Sequence, residues 1–268
     1  MADSKSALAV FAHPDDIDFC AAGTLLLLAE QGWIIHYFNL SSGDLGSFDH
    51  ERKATQEIRR SEGKEAAPIL GATYHDSICH DLQVFYNADN IRNVAAIVRK
   101  CQAKIILTHS PSDYMADHEI TSQLAATAAF SRGMPNFASD PPVDAIPNDV
   151  TVYHAMPHGL RNPLRKRIRA GLYIDTSSVQ DRKCVALAAH KSQKEWLDRT
   201  QGMDSYLKEM DSFAEQVGQL LDKFQYAEGW RRRLHLGFSA KEVDPLYEAL
   251  SDYAYVDDNY EANLNAIE

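Results

Sequence analysis

His13, Asp15 and Asp16 follow directly on a short apolar run, residues 7–12. In an α/β protein such a run is typical of a buried parallel strand, whose carboxyl end is where open sheets bind ligands. Pro14 keeps His13 out of the helical region and suits the first position of a helix that runs through Asp16. One imidazole and one carboxylate can supply two ligands of a zinc-type site, which leaves the other carboxylate free to act as a base.

The stretch from His109 to Glu119 repeats this arrangement after a second predicted strand, residues 104–108. It is a Pro-containing loop rich in His and Asp, and it leads into a predicted helix. His118 lies in the first turn of that helix and can reach back over the sheet edge toward His13 and Asp16. It would complete a three-ligand set with an open position for water. The alternative is that His118 is an exposed helix residue, which is disfavoured because two strand ends carry the same ligand chemistry.

Strands and helices alternate along the chain, which is the pattern of βαβ units. We therefore predict an α/β fold in three layers, a Rossmann-like, mostly parallel sheet with helices on both faces and the metal site at the carboxyl ends of the strands. We predict a single domain over residues 1–268, with a core of about 6–200 and a C-terminal helical extension of about 201–268. The predicted strands are 7–12, 34–40, 72–78, 104–108, 150–156 and 172–175, and the predicted helices are 21–31, 50–67, 90–100, 117–130, 179–199 and 202–226.

The composition limits the partners of the chain. A formal net charge of −11 argues against nucleic acid and anionic membranes, and no apolar run approaches the length that spans a bilayer. The four cysteines show no paired spacing and the first residues lack a signal peptide, so we expect a cytoplasmic protein with a small-molecule substrate. The Tyr- and Asp-rich end, residues 247–268, is either loosely ordered or packed on a neighbouring copy, which leaves a homo-oligomer open.

Together these motifs resemble those of the PIG-L/LmbE-like zinc-dependent deacetylases, a family of de-N-acetylases of N-acetylglucosaminyl-phosphatidylinositol and of small-thiol precursors. The resemblance covers about residues 6 to 230. Its most specific part is Ala-His-Pro-Asp-Asp with an acid two residues further on, which Ala12–Asp16 and Asp18 match. The stretches that follow in family order are Ser42-Gly-Asp-Leu-Gly46, Arg59 to Glu62, Leu70-Gly71, Thr108-His-Ser-Pro111, Asp117-His118, His190-Lys-Ser-Gln193 and Tyr226-Ala-Glu-Gly229.

The resemblance implies that His13, Asp16 and His118 bind the metal, which is zinc or, in its place, ferrous iron. It implies that Asp15 is the general base toward a metal-activated water, and that the reaction removes acetyl from an N-acetylated amino sugar or glycoconjugate. It also places Asp117 beside a ligand imidazole, which it would hold in the metal-binding tautomer.

Substrate contacts are expected from several residues around this site. Arg59 resembles the family's substrate-orienting arginine, whose planar guanidinium suits sugar hydroxyls or a phosphate. The Gly-containing loop that carries Asp44 would wall the same crevice, and a plain turn is the alternative for this loop.

The second motif departs from the family pattern, because the usual His-Pro-Asp-His is here Met115-Ala-Asp-His118. The missing histidine normally lies by the developing oxyanion or the leaving group, and Met115 cannot donate a proton there. Either another residue takes its place, or the reaction is slower by about a hundred- to a thousandfold. The candidates to act there and to contact the substrate are Tyr114, His158 and His190, with His109 as a further proton donor.

Two alternatives to the deacetylase remain open from the sequence. One is a chain that keeps its metal but is catalytically weak and binds a glycan as a sensor or scaffold, which Met115 would explain. The other is the same metal site acting on a different amide or ester, because a fold and a metal do not determine the substrate.

Overall fold

The structure is a computed structural model that describes residues 5–201 and 206–264. The described chain contains the strands β1 (Ser6–Phe11), β2 (Ile34–Asn39), β3 (Ala72–His75), β4 (Ile105–Thr108), β5 (Thr151–Ala155), β6 (Leu172–Asp175), β7 (Ala227–Arg232) and β8 (Ala254–Val256). These strands form one sheet in the order β3-β2-β1-β4-β5-β7-β6-β8.

Helices cover both faces of this sheet. None of those in the described ranges is long and apolar enough to cross a membrane. The helices are α1 (Asp16–Cys20), α2 (Ala22–Glu30), α3 (Arg52–Ile69), α4 (Ala88–Cys101), α5 (Ala116–Ser131), α6 (Gln180–Leu187), α7 (Lys191–Gln201), α8 (Tyr206–Gln219), α9 (Pro245–Ala249) and α10 (Asp258–Leu264).

Strand β1 lies inside the sheet and is buried along its whole length, because strands pair with it on both sides and helices cover both faces. It pairs in parallel with β2 and β4, and β3 and β5 continue the parallel part outward. Its side chains alternate between two cores. Ala7 and Phe11 pack on the side of α2, whereas Leu8 and Val10 pack on the side of α4 and α5. This confirms the predicted three-layer α/β fold.

The chain after about residue 201 differs from the predicted helical extension. Helix α8 covers part of the predicted helix 202–226, of which residues 202–205 lie outside the described part. Strand β7 then enters the sheet between β5 and β6, antiparallel to both. Its Trp230 is fully buried, because this segment runs inside the sheet. The Trp230 indole N–H donates to the Thr24 hydroxyl at 3.0 Å. The apolar pattern of β7 is too short and too mixed with charges to predict this.

The Tyr- and Asp-rich end also packs on the chain's own sheet as far as residue 264. Strand β8 pairs antiparallel with β6 and forms the edge of the sheet, and α10 follows it. Residues 265–268 lie outside the described part.

The predicted helix 179–199 is interrupted between α6 and α7. At the break His190 is fully buried, and its Nε2 lies 2.9 Å from Asp18 Oδ2. The next helix is fixed at its start by Glu62, whose carboxylate accepts the N–H of Ser192 at 2.8 Å and its hydroxyl at 2.6 Å. These contacts join residues far apart in the sequence, which is why the apolar pattern does not reveal the break.

A buried ion pair ties strand β7 to the helices beside it. Lys183 Nζ lies 2.7 Å from Glu228 Oε1, and both side chains are almost fully buried. The same carboxylate accepts the backbone N–H of Gly23 at 2.9 Å and that of Thr24 at 2.8 Å, at the start of α2. Glu228 therefore joins β7, α2 and α6. These contacts take the place of the hydrogen bonds that a solvent-exposed carboxylate would make with water.

We expect Lys183→Met to lower the free energy of unfolding by about 3–5 kcal/mol, because it leaves a buried carboxylate without its counter-charge. Urea denaturation measures this. The matched control is Arg182→Met, which removes a pair with Glu30 at 2.6 Å whose side chains are 50% and 43% exposed. The control should change stability by about 1 kcal/mol or less. Equal effects of the two substitutions would contradict this account.

Candidate metal centre

The polar residues that follow β1 and β4 meet at the carboxyl edge of the sheet. The parallel register places Val10 opposite Thr108, so His13 and His109 follow neighbouring strand ends. Helix α5 brings His118 to the same edge. A cavity of about 310 Å³ lies there, and His13, His109 and His118 all line it.

His13, Asp16 and His118 each offer one possible ligand atom, and all three atoms lie within 4.8 Å of one another. Asp16 Oδ2 lies 3.3 Å from His13 Nδ1 and 3.5 Å from His118 Nε2. Ligand atoms on a tetrahedral zinc ion, with bonds of about 2.0–2.1 Å, are separated by about 3.3 Å. Two imidazoles and one carboxylate also form the donor set that ferrous iron accepts. The residues present therefore fit a metal ion of this kind.

Each of these imidazoles contacts a further carboxylate with its other nitrogen. His118 Nδ1 lies 3.0 Å from Asp113 Oδ1, and His13 Nε2 lies 3.3 Å from Asp117 Oδ2. In a neutral imidazole the nitrogen that donates to a carboxylate carries the one proton, so in that state these hydrogen bonds would leave the lone pairs on the nitrogens that face Asp16. Asp117 thus lies beside the imidazole of His13, and Asp113 lies beside that of His118. That these imidazoles bind a metal remains a prediction.

His109 also lies close to Asp16, but its geometry makes it a support for the site. Its Nε2 accepts the backbone N–H of Ala12 at 2.9 Å, and its ring stacks on that of His118 with 3.9 Å between centroids. Burial, together with His118, lowers the pKa of His109 to about 4. His109, Asp113 and His118 also bring donor atoms within 4.8 Å of one another. We favour the set around Asp16 as the metal site, because the Ala12 N–H already occupies the lone pair of His109 Nε2.

Asp15 lies at the N-cap of α1 with φ of 102°, in the left-handed region that residues other than glycine rarely adopt. Such backbone strain persists where the surroundings hold the residue, often at functional sites. The Asp15 carboxylate accepts hydrogen bonds from Arg59 Nη2 at 3.2 Å and from the Tyr206 hydroxyl. Burial raises the pKa of Asp15 to about 6, against the opposing charge of Arg59. A carboxylate with such a pKa can accept a proton near neutral pH.

Arg59 lines the cavity but directs its hydrogen bonds to the protein. Beside the Asp15 contact, its Nη2 donates to the carbonyl oxygen of Pro14 at 2.5 Å and its Nη1 to that of Gly43 at 3.4 Å. Gly43 has φ of 71°, and a Cβ there would lie 2.6 Å from the Arg59 side chain. The structure thus shows Arg59 as a residue that positions Asp15, and substrate contact by its cavity-facing side remains a prediction.

Asp44 does not line the cavity, in contrast to the expectation that it contacts substrate. Its buried carboxylate accepts the Arg52 guanidinium N–H and the backbone N–H of Asp81 at 2.9 Å, and it lies 2.7 Å from His80 Nδ1. It holds together the loops that wall the cavity. Spacing alone placed Asp44 in the correct loop but could not give the direction of its side chain.

His190 is likewise absent from the cavity lining. It is fully buried against Asp18, whose Oδ2 also accepts the Tyr37 hydroxyl at 2.5 Å. The acid two residues after the Asp pair and this histidine therefore form one interior contact. His190 does not reach the site where it was expected to replace the missing motif histidine.

Tyr114 and His158, two of the other candidates for that role, both line the cavity, as does Met115. The Tyr114 side chain is 57% exposed and packs edge-on against His118, with 5.5 Å between ring centroids. His158 packs edge-on against Phe19 at 5.4 Å, and burial lowers its pKa. Proton donation to a bound substrate by Tyr114 or His158 remains a prediction.

Several residues that build the site were not found from the sequence. Asp113 belongs to the His- and Asp-rich loop that the sequence indicates, so the signal for it was present. Tyr206 reaches Asp15 from α8, and Trp196 and Leu197 line the cavity from α7. No local motif marks these three, because only the packing of the C-terminal helices brings them to the sheet edge.

Comparisons with known proteins give the family of this chain. The family model described as GlcNAc-PI de-N-acetylase, PIG-L, matches residues 8–129. The chain is 30% identical over 198 residues to 4-oxalmesaconate hydratase of Pseudomonas putida, covering 71% of this chain and 74% of that protein. It is 29% identical over 203 residues to a probable N-acetyl-alpha-D-glucosaminyl L-malate deacetylase 2 of Bacillus cereus, covering 71% of this chain and 84% of that protein.

A solved structure shows the same fold. The crystal structure of GalB, the 4-carboxy-2-hydroxymuconate hydratase from Pseudomonas putida, superposes with a TM-score of 0.70 at 25% identity, over 89% of this chain and 99% of that one. The relatives therefore include both deacetylases and a hydratase.

We expect Asp113→Ala to weaken metal binding about 10- to 100-fold, because His118 loses the carboxylate that orients its ring. Competition with a chromophoric chelator measures the affinity for Zn²⁺. The control is Asp89→Ala, whose side chain is 86% exposed and contacts Arg92. An unchanged affinity in Asp113→Ala would show that the Asp113 contact does not support a metal ligand.

Proposed function

This chain belongs to the PIG-L family of de-N-acetylases, and we propose that it hydrolyses the acetamide of an N-acetylated amino sugar or glycoconjugate. The observation that carries the proposal is the buried Asp15 carboxylate beside the set of His13, Asp16 and His118, in one cavity. A base next to a three-ligand set is the arrangement that metal-assisted hydrolysis needs.

We propose zinc as the metal, with ferrous iron as the alternative. The chemistry that zinc supplies when bound to such a set is acidification of a water to a pKa of about 7 and polarisation of a carbonyl. Asp15 accepts the proton of the attacking water. Arg59 and Tyr206 hold the Asp15 carboxylate in place for that transfer, since both donate hydrogen bonds to it.

The products are acetate and an amine, and the amine nitrogen must gain a proton as its bond to the acetyl carbon breaks. Asp15 can return the proton that it accepted. Tyr114 and His158 line the same cavity, and we propose that one of them donates a hydrogen bond where the family's histidine is replaced by Met115.

The size and lining of the cavity suit a small sugar. Its volume of about 310 Å³ is at the lower end of small-ligand sites. Trp196 and Leu197 add apolar surface to the cavity that the polar metal set also lines. An amino-sugar ring likewise has both a polar edge and an apolar face.

All four cysteines are free thiols. This supports a reducing compartment, and we propose the cytoplasm.

A homo-oligomer remains a prediction.

A hydratase is the second candidate, favoured by the 30% identity to 4-oxalmesaconate hydratase. Adding water across a carbon–carbon double bond places the hydroxyl on one carbon and the proton on the other, and no amine leaves. Met115, which cannot donate a proton, would then not slow the reaction, because no leaving amine needs one. Loss of the ultraviolet absorbance of 4-oxalmesaconate, without amine release from any acetamido sugar, would replace the deacetylase proposal with this one.

We expect the zinc-loaded chain to release amine from N-acetylglucosamine derivatives, and Asp15→Asn to lower this rate by about 10²–10⁴-fold, the usual contribution of a general base. Fluorescent amine detection measures the rate, and elemental analysis should find the metal retained. The control is Asp49→Asn, whose carboxylate is 65% exposed and pairs with Arg199. Full activity in Asp15→Asn would exclude Asp15 as the base.

Met115→His tests whether the native site is weakened. If Tyr114 or His158 already acts at this position, kcat for amine release should rise less than about tenfold, because the new imidazole repeats an existing role. Met134→His, at a methionine outside the cavity lining, is the control. A rise of about a hundred- to a thousandfold would instead show that the native site is catalytically weak.

A further inference from the structure

A second group of metal-binding side chains lies away from the cavity. It consists of His36 on β2, His75 at the end of β3 and Cys101 at the end of α4, and their donor atoms lie within 4.8 Å of one another. They lie on the sheet face that α4 covers, where Phe38 packs edge-on against His75 with 6.3 Å between ring centroids. None of the three residues belongs to the set around Asp16.

The distances in this group match those between ligands of one ion. His36 Nδ1 lies 3.1 Å from His75 Nε2, and Cys101 Sγ lies 3.5 Å from the same nitrogen. On a tetrahedral zinc ion, with bonds of about 2.0–2.1 Å to nitrogen and 2.3 Å to sulfur, the separations are about 3.3 Å for two nitrogens and 3.6 Å for nitrogen and sulfur.

Hydrogen bonding alone leaves this group incompletely satisfied. A neutral imidazole nitrogen has either one lone pair or one proton, whereas His75 Nε2 faces both His36 Nδ1 and Cys101 Sγ. One good hydrogen bond therefore leaves the other contact poorly paired. A metal ion would use all three lone pairs at once.

The protonation states also suit a metal. Burial, with the charges of His36 and Lys100, lowers the pKa of His75 to about 4, and burial with Lys100 lowers that of His36. Both imidazoles are thus neutral at pH 7. Burial raises the pKa of the Cys101 thiol to about 12, so a bound ion would displace its proton, as metals do on binding thiols.

The charges of two nearby residues act on His75, those of Lys100 on α4 and Asp76 after β3. Lys100 opposes a cation, but it is exposed and its charge is therefore screened by water and salt. The Asp76 carboxylate is held by Arg60 at 2.7 Å and by Lys64 at 3.7 Å. The charge that would balance the ion is the Cys101 thiolate.

We propose that His36, His75 and Cys101 form a second, structural metal site for Zn²⁺, which ties the edge strand β3 to β2 and α4. His36 is only half-buried, so an ion can enter past it and a water can complete the coordination. The proposal is independent of the reaction at the cavity.

Cobalt substitution tests the proposal, because a Co²⁺–thiolate bond produces a near-ultraviolet charge-transfer band that nitrogen and oxygen ligands do not. We expect the full chain loaded with Co²⁺ to show this band and Cys101→Ser to lose it. His36→Gln, at a half-exposed position that should not disturb folding, should weaken it. His118→Gln should retain it, since that substitution affects only the catalytic set.

The matched control is Cys20→Ser, because Cys20 is the thiol that lines the catalytic cavity. The band should persist in this variant. In parallel, elemental analysis should find two zinc ions per wild-type chain and one in Cys101→Ser. A wild-type chain without the band, a band that survives in Cys101→Ser, or a band lost in Cys20→Ser would each overturn the proposal.

Discussion

The site depends on one carboxylate, that of Asp16, which is 17% exposed and lies between the imidazoles of His13 and His118. Burial alone would raise the pKa of Asp16, but His118 and the other imidazoles hold it well below its usual range. Such an anion needs a positive charge beside it. Burial would lower the pKa of His13, yet its hydrogen bonds to Asp117 and Asp16 raise it to about 10, so a proton fills this need without a metal. Binding of a divalent ion to the candidate set would displace that proton.

The rest of the fold serves to bring these groups together. Parallel pairing of β1 with β4 brings two polar loops to one edge, and α5 adds His118. Asp15, the proposed general base, is held from two further directions, by Arg59 on α3 and by Tyr206 on α8. The strained backbone of Asp15 and its two side-chain partners fix the position of its carboxylate relative to the candidate metal set.

The sequence predicted the sheet, its central strands and the loop ends that carry the metal set, because apolar strands and ligand-type residues occur in contiguous runs. It did not predict β7, the break before α7, or the contacts of Asp44 and His190. Each of these depends on side-chain directions or on partners more than a hundred residues away, as with His190 and Asp18. Met115 was recognised as a departure from the family, but its neighbours Tyr114 and His158 could be placed beside it only from the fold.

The measurement that tests the central claim most directly is an anomalous-difference map at the zinc absorption edge, from crystals of the zinc-loaded chain. We predict a peak at about 2.0–2.2 Å from His13 Nδ1, Asp16 Oδ2 and His118 Nε2, the bond lengths of zinc to imidazole and carboxylate. A map without a peak at this edge of the sheet would contradict the account. So would a peak within bonding distance of His109 and Asp113 instead of His13 and Asp16.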